Sequence, residues 1–135
     1  MEFNKLIPEL SVSDIGKSLD FYRKIGFKLE YSREGFAFLS FQGSQMMIEQ
    51  MNNNWNTGEM IKPYGRGINF QIEVENMADL IKKIKANSFE MFKGPEDNWY
   101  EVNGKLLGCR ELLIQDPDGY LLRFSQEIGE RQKKA

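Results

Sequence analysis

The chain carries one pattern twice. The stretch that begins at Val12 aligns without a gap with the stretch that begins at Val74, an offset of 62 residues (74 − 12). In each copy an alternating apolar run, residues 6–12 or 68–74, leads into apolar residues spaced three or four positions apart. Period two is typical of a strand, and the wider spacing is typical of a helix. The fold must therefore contain a strand followed by a helix in two copies.

Both predicted helices carry start and stop signals. Ser13 or Asp14 in the first copy, and Asn76 in the second, have side-chain oxygens that suit the N–H groups of a helix start. Gly26 and the pair Asn87-Ser88 are typical of helix ends. The sequence thus predicts two short helices, one in each copy.

Short strands separated by turn residues follow each helix. In the first copy we expect strands at 27–31, 36–41 and 46–51. In the second copy we expect a strand at 89–92, a hairpin over 99–107 about Asn103-Gly104, and strands at 110–115 and 120–126 around an Asp-Pro-Asp-Gly turn. Both copies read as β-α-β-β-β. This order predicts an α+β fold of tandem βαβββ repeats, with curved mixed sheets around a cleft.

We expect the two repeats to form a single domain over residues 1–135. Its predicted parts are repeat one at 5–51, a linker at 52–66, repeat two at 67–128 and a polar tail at 129–135. The linker is rich in Asn, Gly and Lys, and the tail is expected to fray.

The charge balance and the length of the apolar runs each exclude one class of partner. Eighteen Lys and Arg residues against 20 Asp and Glu residues leave a net charge of −2, so we expect no nucleic-acid partner. No apolar run approaches the roughly 20 residues of a membrane span, so we expect no membrane partner. The first residues lack the pattern of a signal peptide, and a cytoplasmic location is expected.

The chain contains no histidine and a single cysteine, Cys109. The absence of histidine excludes a Ser-His-Asp triad, a Cys-His dyad and every metal site that uses imidazole. With no histidine to activate it, Cys109 is expected to be an inert thiol. Any catalysis would have to use carboxylate, Lys, Tyr or Cys side chains, and the alternative is a chain without catalytic activity.

Two motifs identify a family resemblance. The first copy reads Val-Ser-Asp-Ile-x-x-Ser-x-x-Phe-Tyr-x-x-x-Gly-Phe, and the last hairpin reads Asp-Pro-Asp-Gly-Tyr-Leu-Leu-Arg-Phe. With the tandem βαβββ pattern, they resemble the vicinal-oxygen-chelate superfamily of glyoxalases, bleomycin resistance proteins and dioxygenases. The resemblance covers residues 6–128. It is specific for the fold and weak for activity, because this scaffold hosts unrelated functions.

The resemblance implies four metal positions, which fall on Ile7, Glu49, Asn69 and Arg123. In the family's enzymes these positions hold a metal through His, Gln or Glu. Only Glu49 is a credible ligand here, because Ile7 offers no lone pair and the cationic Arg123 repels a divalent ion. We therefore expect no metal and no cofactor.

The chain resembles the bleomycin resistance branch in detail. Arg123 follows Asp-Pro-Asp-x-x-Leu-Leu, and a segment with a Trp, residues 96–100, precedes the penultimate strand. The resemblance implies a metal-free homodimer, with or without exchange of an N-terminal strand, that sequesters an unaltered drug in two grooves at its interface. The short linker and the long stretch at 100–108 depart from that branch and leave the identity of the drug open.

Aromatic residues are the first candidates for ligand contact. Trp99 and Tyr100 sit among the acidic Glu96, Asp97 and Glu101, an arrangement that suits stacking of a flat cation. Alternatively, Trp99 fills the core. Trp55, in the polar linker, is expected either to contact a ligand or interface or to cover the sheet.

The strands offer further candidates. Phe36 and Phe38 share one face of their strand, which is predicted to line either the core or the cleft. Met51 shares a face with Glu49, and Glu49 is expected to face Arg123 as a structural pair or around a polar ligand group. Arg110 is likewise expected either to form a structural ion pair or to hold a polar group of the ligand. The candidate ligand-binding residues are Phe38, Glu49, Met51, Trp55, Trp99, Tyr100, Arg110 and Arg123.

Three functional hypotheses follow. The first is a non-catalytic protein that sequesters a planar cationic antibiotic of the bleomycin type or another aromatic metabolite. The second is an enzyme of the same fold, of the lyase or dioxygenase type, that uses Glu49 as a metal ligand or a general base. The third is a regulatory dimer with an aromatic cleft.

Overall fold

The computed structural model describes residues 1–134 and contains two helices and eight strands in that part of the chain. In chain order the elements are β1 (Glu9–Val12), α1 (Ile15–Lys24), β2 (Lys28–Arg33), β3 (Phe36–Phe41), β4 (Ser44–Gln50), β5 (Asn69–Glu73), α2 (Met77–Ala86), β6 (Lys93–Val102), β7 (Lys105–Gln115) and β8 (Leu121–Gln132). The predicted α+β class and the repeated β-α-β-β-β order are confirmed.

The chain divides into two compact units. The first unit contains Met1–Ile68 together with Asp116–Tyr120, and the second contains Asn69–Gln115 together with the described chain from Leu121 onward. No helix or strand lies between Gln50 and Asn69, where the linker is predicted. None of the helices in residues 1–134 is both long and apolar enough to cross a membrane.

The first unit contains a four-stranded mixed sheet with α1 on one face. Its strand order is β1-β4-β3-β2, with β1 parallel to β4 and the other pairs antiparallel. Aromatic rings join the helix to the sheet. The ring centroids of Tyr22 and Phe27 are 5.1 Å apart, and those of Phe27 and Phe41 are 4.9 Å apart. Burial of each such side chain stabilises the fold by roughly 1.5–3 kcal/mol.

The second unit repeats this layout. Its strand order is β5-β8-β7-β6, with β5 parallel to β8 and the other pairs antiparallel. Its core consists of buried apolar side chains from α2 and the sheet, among them Ile72, Leu80, Ile84, Leu112 and Phe124. The buried face of α2 consists of Met77, Leu80 and Ile84, as its apolar spacing predicts, whereas α1 buries Ser18, Phe21 and Tyr22.

The helix starts are confirmed. Asp14 is the N-cap of α1, where its carboxylate accepts a hydrogen bond from the Lys17 N–H at 3.1 Å. Asn76 caps α2 through the Asp79 N–H at 3.3 Å. Ser13, the other candidate cap, instead donates its backbone N–H to Asp118 at 2.9 Å. Of the two candidates, Asp14 is therefore the N-cap of α1.

The strands of the second repeat differ from the prediction. The strand expected at 89–92 is wrong, because the N–H of Phe89 still bonds to Ile84 at the end of α2. The expected hairpin and the strand at 110–115 are one continuous pair, β6 and β7, joined at Asn103-Gly104 as predicted.

The predicted polar tail is wrong over residues 129–132, which belong to β8. The pairing of β8 with β7 passes from Gly129 to Glu127 and leaves Ile128 as an extra residue, a β-bulge that lets the ladder continue. The last residue of the predicted tail, 135, lies outside the described residues.

The Asp-Pro-Asp-Gly turn anchors residues 116–120 in the first unit. Asp116 is buried and accepts hydrogen bonds from the Tyr22 hydroxyl at 2.7 Å and from the N–H groups of Asp118 and Tyr120 at 2.9 Å each. Burial raises the pKa of Asp116 to about 6. Gly119 takes the left-handed φ of 97° that the turn motif predicts.

Candidate functional site

In the first unit, the sheet face that points away from α1 carries an aromatic cluster. Phe38 stacks on Tyr31 with ring centroids 5.1 Å apart and planes 10° apart. Phe41, which alternates with Phe38 along β3, joins the ring contacts on the helix side. Of the two faces weighed for Phe38, the structure therefore assigns it to the one opposite the helix.

Phe38 is nevertheless almost fully covered, with only 1% of its surface exposed. Phe3 approaches it edge-on, with ring centroids 5.3 Å apart and planes at 84°. Phe36 is also buried, and the guanidinium of Arg33 lies 3.7 Å from its ring centroid. The face is apolar and aromatic, but side chains of the same chain occupy it.

Glu49 and Trp55 form a second feature of the first unit. The Trp55 indole N–H donates to the Glu49 carboxylate at 2.7 Å, and the Asn52 amide donates to its other oxygen at 3.0 Å. The Trp55 side chain is 66% exposed. An indole that is held by its N–H while its ring remains in solvent is a ready surface for stacking.

A second carboxyl, that of Glu9 on β1, neighbours Glu49. Hydrogen bonds from Asn52 and Trp55 lower the pKa of Glu49, so it stays ionised at neutral pH. Partial burial and the charge of Glu49 raise the pKa of Glu9. Met51 follows β4, is half-buried and bonds through its N–H to Val12 at 2.9 Å. The charge of Arg33 acts on both carboxyl groups, so one cation is already present here and the remaining negative charge of the pair attracts another.

The second unit has a polar cluster around a buried carboxylate, Glu111, which is 2% exposed. One of its oxygens accepts hydrogen bonds from the Tyr100 hydroxyl and from the Asn98 amide, the latter at 2.9 Å. Arg123 approaches its other oxygen at 3.6 Å. The hydrogen bond to Glu111 raises the pKa of Tyr100, which keeps the hydroxyl protonated.

Trp99 lies on the opposite face of the same sheet. Its ring packs directly on Gly108, where an added Cβ would fall 2.7 Å from the indole, and the Arg131 guanidinium lies 3.8 Å from its ring centroid. The predicted joint platform of Trp99 and Tyr100 is therefore wrong, because consecutive residues of a strand point to opposite faces.

The acidic neighbours of Trp99 and Tyr100 also have partners of their own. Asp97 forms two hydrogen bonds with Arg110, at 2.8 and 3.1 Å. Lys133 pairs with Glu101 at 2.8 Å, and Lys93 pairs with Glu96 at 3.4 Å. Arg110 thus forms an ion pair with Asp97, and its contact with a polar ligand group stays a prediction.

Arg123 contacts residues of its own unit. Besides Glu111, its guanidinium donates to the Gln71 side chain, opposite it on β5. Glu49, in the first unit, accepts from Asn52 and Trp55. The expected pairing of Glu49 with Arg123 stays a prediction.

The metal positions implied by the family resemblance do not fit a metal ion. The Glu49 carboxylate is engaged by two donors, Ile7 has no ligand atom in its side chain, and Arg123 is a cation beside Glu111. Within residues 1–134, no three His, Cys, Asp or Glu side chains cluster as a metal site would need.

Sequence reasoning missed several residues of these clusters, among them Glu9, Tyr31, Asn98 and Glu111. Two signals were available. Glu111 is a charged residue directly before the apolar run of residues 112–114 in β7, and Glu9 alternates with Leu10 and Val12, which face the core. Tyr31 and Asn98 carry no such signal, because their partners come from neighbouring strands.

Comparisons with known proteins agree with this fold. A family model described as "Glyoxalase/Bleomycin resistance protein/Dioxygenase superfamily" matches residues 6–124. The chain is 29% identical over 133 residues to a bleomycin resistance protein of Geobacillus stearothermophilus, covering 90% of this chain and 96% of that one. It is 27% identical over 130 residues to a lactoylglutathione lyase of Escherichia coli O157:H7, covering 87% and 88%.

A solved structure shows the same fold. The crystal structure of a bleomycin-binding protein complexed with bleomycin matches with a TM-score of 0.60 and 16% identity, covering 92% of this chain and 98% of that one.

Proposed function

The chain belongs to the glyoxalase/bleomycin resistance protein/dioxygenase superfamily, and from this membership we propose that it is a non-catalytic small-molecule binding protein. Its ligand is a planar, cationic aromatic compound, either an antibiotic of the bleomycin type or an aromatic metabolite. The protein sequesters this ligand without altering it, as a cytoplasmic homodimer of one domain per chain with the ligand in a groove at the dimer interface.

One observation carries the proposal: Glu49 holds the exposed indole of Trp55 in place, and Glu9 adds a second carboxyl beside it. The ring offers a flat apolar surface, and the ionised carboxylate attracts a positive charge near its edge. A planar aromatic cation satisfies both features at once, whereas a neutral or anionic compound satisfies at most one.

The donor set supports binding over metal-dependent catalysis. Arg123 and Ile7 stand at two of the four positions that the family's enzymes use for a metal, and neither supplies a ligand atom to a cation. Similarity to a lactoylglutathione lyase is compatible with the shared scaffold. Binding of an unaltered ligand needs only the aromatic and acidic surfaces described above.

The test is calorimetric titration of the protein with bleomycin, followed by mass spectrometry of the recovered drug. We expect saturable binding and an unchanged drug mass. Glu49→Gln should weaken binding roughly 3- to 30-fold, because it removes a charge and loosens the Trp55 contact. The matched control is Glu90→Gln, which neutralises an exposed carboxylate in the other unit and should leave the affinity unchanged.

Tryptophan fluorescence identifies the contacted ring. In Trp99→Phe the emission comes from Trp55 and should be quenched by the drug, and in Trp55→Phe most of the quenching should be lost. Absence of heat and of quenching at high micromolar bleomycin would exclude the antibiotic as ligand. Recovery of a chemically changed drug would instead show an enzyme.

A further inference from the structure

We propose that residues 1–5 form a strap over the aromatic face of the first unit and that an aromatic ligand must displace this N-terminal strap to reach Phe38. The inference deepens the proposed binding function and rests on it. It concerns how access to Phe38 is controlled within the chain.

The strap is held at defined points. The Gln45 side chain forms two hydrogen bonds with the strap. Its carbonyl accepts from the Asn4 N–H at 2.7 Å, and its amide donates to the Glu2 carbonyl at 2.7 Å. The Asn4 amide donates to the Gly43 carbonyl at 3.0 Å. Phe3 lies between Glu2 and Asn4 in the chain, and its ring packs edge-on against Phe38.

The ring of Phe3 occupies the place that an aromatic ligand would need. Phe38 already has Tyr31 stacked on it, and Phe3 supplies a further ring contact, which together leave Phe38 1% exposed. Edge-to-face contact is one of the favourable arrangements of two aromatic rings, so Phe3 mimics a bound aromatic group. A ligand ring can replace it only if the strap opens.

The strap is also suited to opening. All three of its hydrogen bonds are solvent-exposed, where water competes for the same donors and acceptors. Phe3 keeps 55% of its surface in solvent, so closure recovers only part of the free energy of burying an aromatic ring. Opening also restores the backbone freedom of five residues. A closed state held by such contacts exchanges with an open one.

Two variants test the strap. Phe3→Ala removes the covering ring. Gln45→Ala removes the two hydrogen bonds of the Gln45 side chain to the strap and keeps both Phe3 and Phe38. If the strap is closed in roughly 90% of molecules, opening it should tighten binding by roughly 10-fold. The control is Leu6→Ala, which truncates an 87% exposed apolar side chain just beyond the strap and should change nothing.

Two readouts separate the strap from the ligand hypothesis. The neutral aromatic dye Nile red reports access to the apolar face independently of bleomycin, and trypsin cleavage after Lys5 reports opening of the strap. Stronger dye binding and faster cleavage in Gln45→Ala, with stronger dye binding in Phe3→Ala, would support the strap. Equal dye binding in wild type and both variants, or weaker binding in Phe3→Ala, would overturn it.

Bleomycin completes the distinction. Tighter bleomycin binding by both variants supports the strap as a control of access to Phe38, and saturable binding of equal affinity in wild type and both variants overturns it. If bleomycin binds none of the proteins while Nile red binds the variants more strongly, the antibiotic hypothesis fails and the strap stands.

Discussion

Trp99 and Asp116 illustrate how single residues in this chain depend on partners distant in sequence. The Trp99 indole packs on Gly108, and the Arg131 guanidinium lies over its ring, so one of its faces is already in contact with a cation. A ligand that stacks on that face must displace Arg131. Asp116 depends on Tyr22, 94 residues away, for one of its hydrogen bonds.

Gly108→Ala should destabilise the protein by roughly 1–3 kcal/mol, because the added Cβ overlaps the Trp99 ring and forces it to move. Urea unfolding followed by circular dichroism measures the change. The matched control is Gly58→Ala, since an added Cβ at Gly58 has no neighbour within 4 Å. Equal stability of Gly108→Ala and wild type would show that the indole does not rest on the glycine.

Asp116→Asn should change the pH dependence of stability. The pKa of Asp116 is about 6 in the folded protein against an ordinary value of 3.8, so the folded state binds the proton more tightly. Its contribution to stability is therefore full below about pH 4 and is lost as the pH rises through 6, a change of roughly 3 kcal/mol. The asparagine oxygen keeps the backbone N–H groups of Asp118 and Tyr120 as donors.

The measurement is the free energy of unfolding in urea at pH 4, 5, 6 and 7 for both proteins. Wild type should lose stability relative to Asp116→Asn across this range. Parallel curves would contradict the raised pKa.

At the scale of elements, the two repeats use the same device to start their helices. Besides the caps Asp14 and Asn76, a glutamine from the last strand of each repeat accepts the first helical N–H. Gln50 accepts from Ile15 at 3.0 Å, and Gln126 accepts from Met77 at 2.9 Å. These side chains satisfy N–H groups that the first turn of any helix leaves without an internal partner.

Asn76→Ala and Gln126→Ala should each destabilise the protein by roughly 1 kcal/mol, because each leaves an N–H at the start of α2 without its acceptor. Unfolding of both single variants and the double variant by urea measures the losses and their coupling. Asn76→Asp retains an acceptor oxygen and serves as control. Wild-type stability in both single variants would exclude the capping role.

At the scale of the whole molecule, residues 1–134 form two similar sheets, and the outer strands of each sheet have one edge without a partner strand in this part of the chain. In the first sheet these are β1 and β2, and in the second β5 and β6. Unpaired edges are sites where further chains can add, and two-fold symmetric dimers are the commonest oligomers. Edge pairing between two copies of the chain is compatible with the proposed binding function.

The protein should therefore sediment at micromolar concentration as a dimer, with twice the 15.8 kDa mass of one chain. Analytical ultracentrifugation checks the mass directly. A single species at 15.8 kDa would contradict the homodimer and the interface groove that depends on it.

Protein purified without chelator should contain near-background zinc, nickel, iron and manganese, because the four family positions include a cation and an aliphatic side chain. Elemental analysis measures the content. One equivalent of metal per chain that disappears in Glu49→Gln would make the enzyme hypothesis the better one.

The sequence by itself determined what depends on short-range periodicity and local chemistry. The repeat, both helices with their caps, strand β3 and the two tight turns at Asn103-Gly104 and Asp116–Tyr120 follow from spacing, cap residues and positive-φ turn residues within a few positions. Period two alone also separates Trp99 from Tyr100, so the joint platform contradicted a rule that the sequence already contained.

Only the tertiary structure decided which polar groups meet. The partners of Glu111 and Phe38 come from neighbouring strands and from the N-terminal strap. Those of Glu49 lie only three and six residues away, but in a linker without a helix or strand, whose path no periodicity encodes. The continuation of β8 through residues 129–132 depends likewise on a bulge and on pairing with β7, since the polar sequence of that stretch has no strand signal. A polar group that leaves water on folding needs a hydrogen-bond partner from the protein, and the packing of the folded chain determines which residue supplies it.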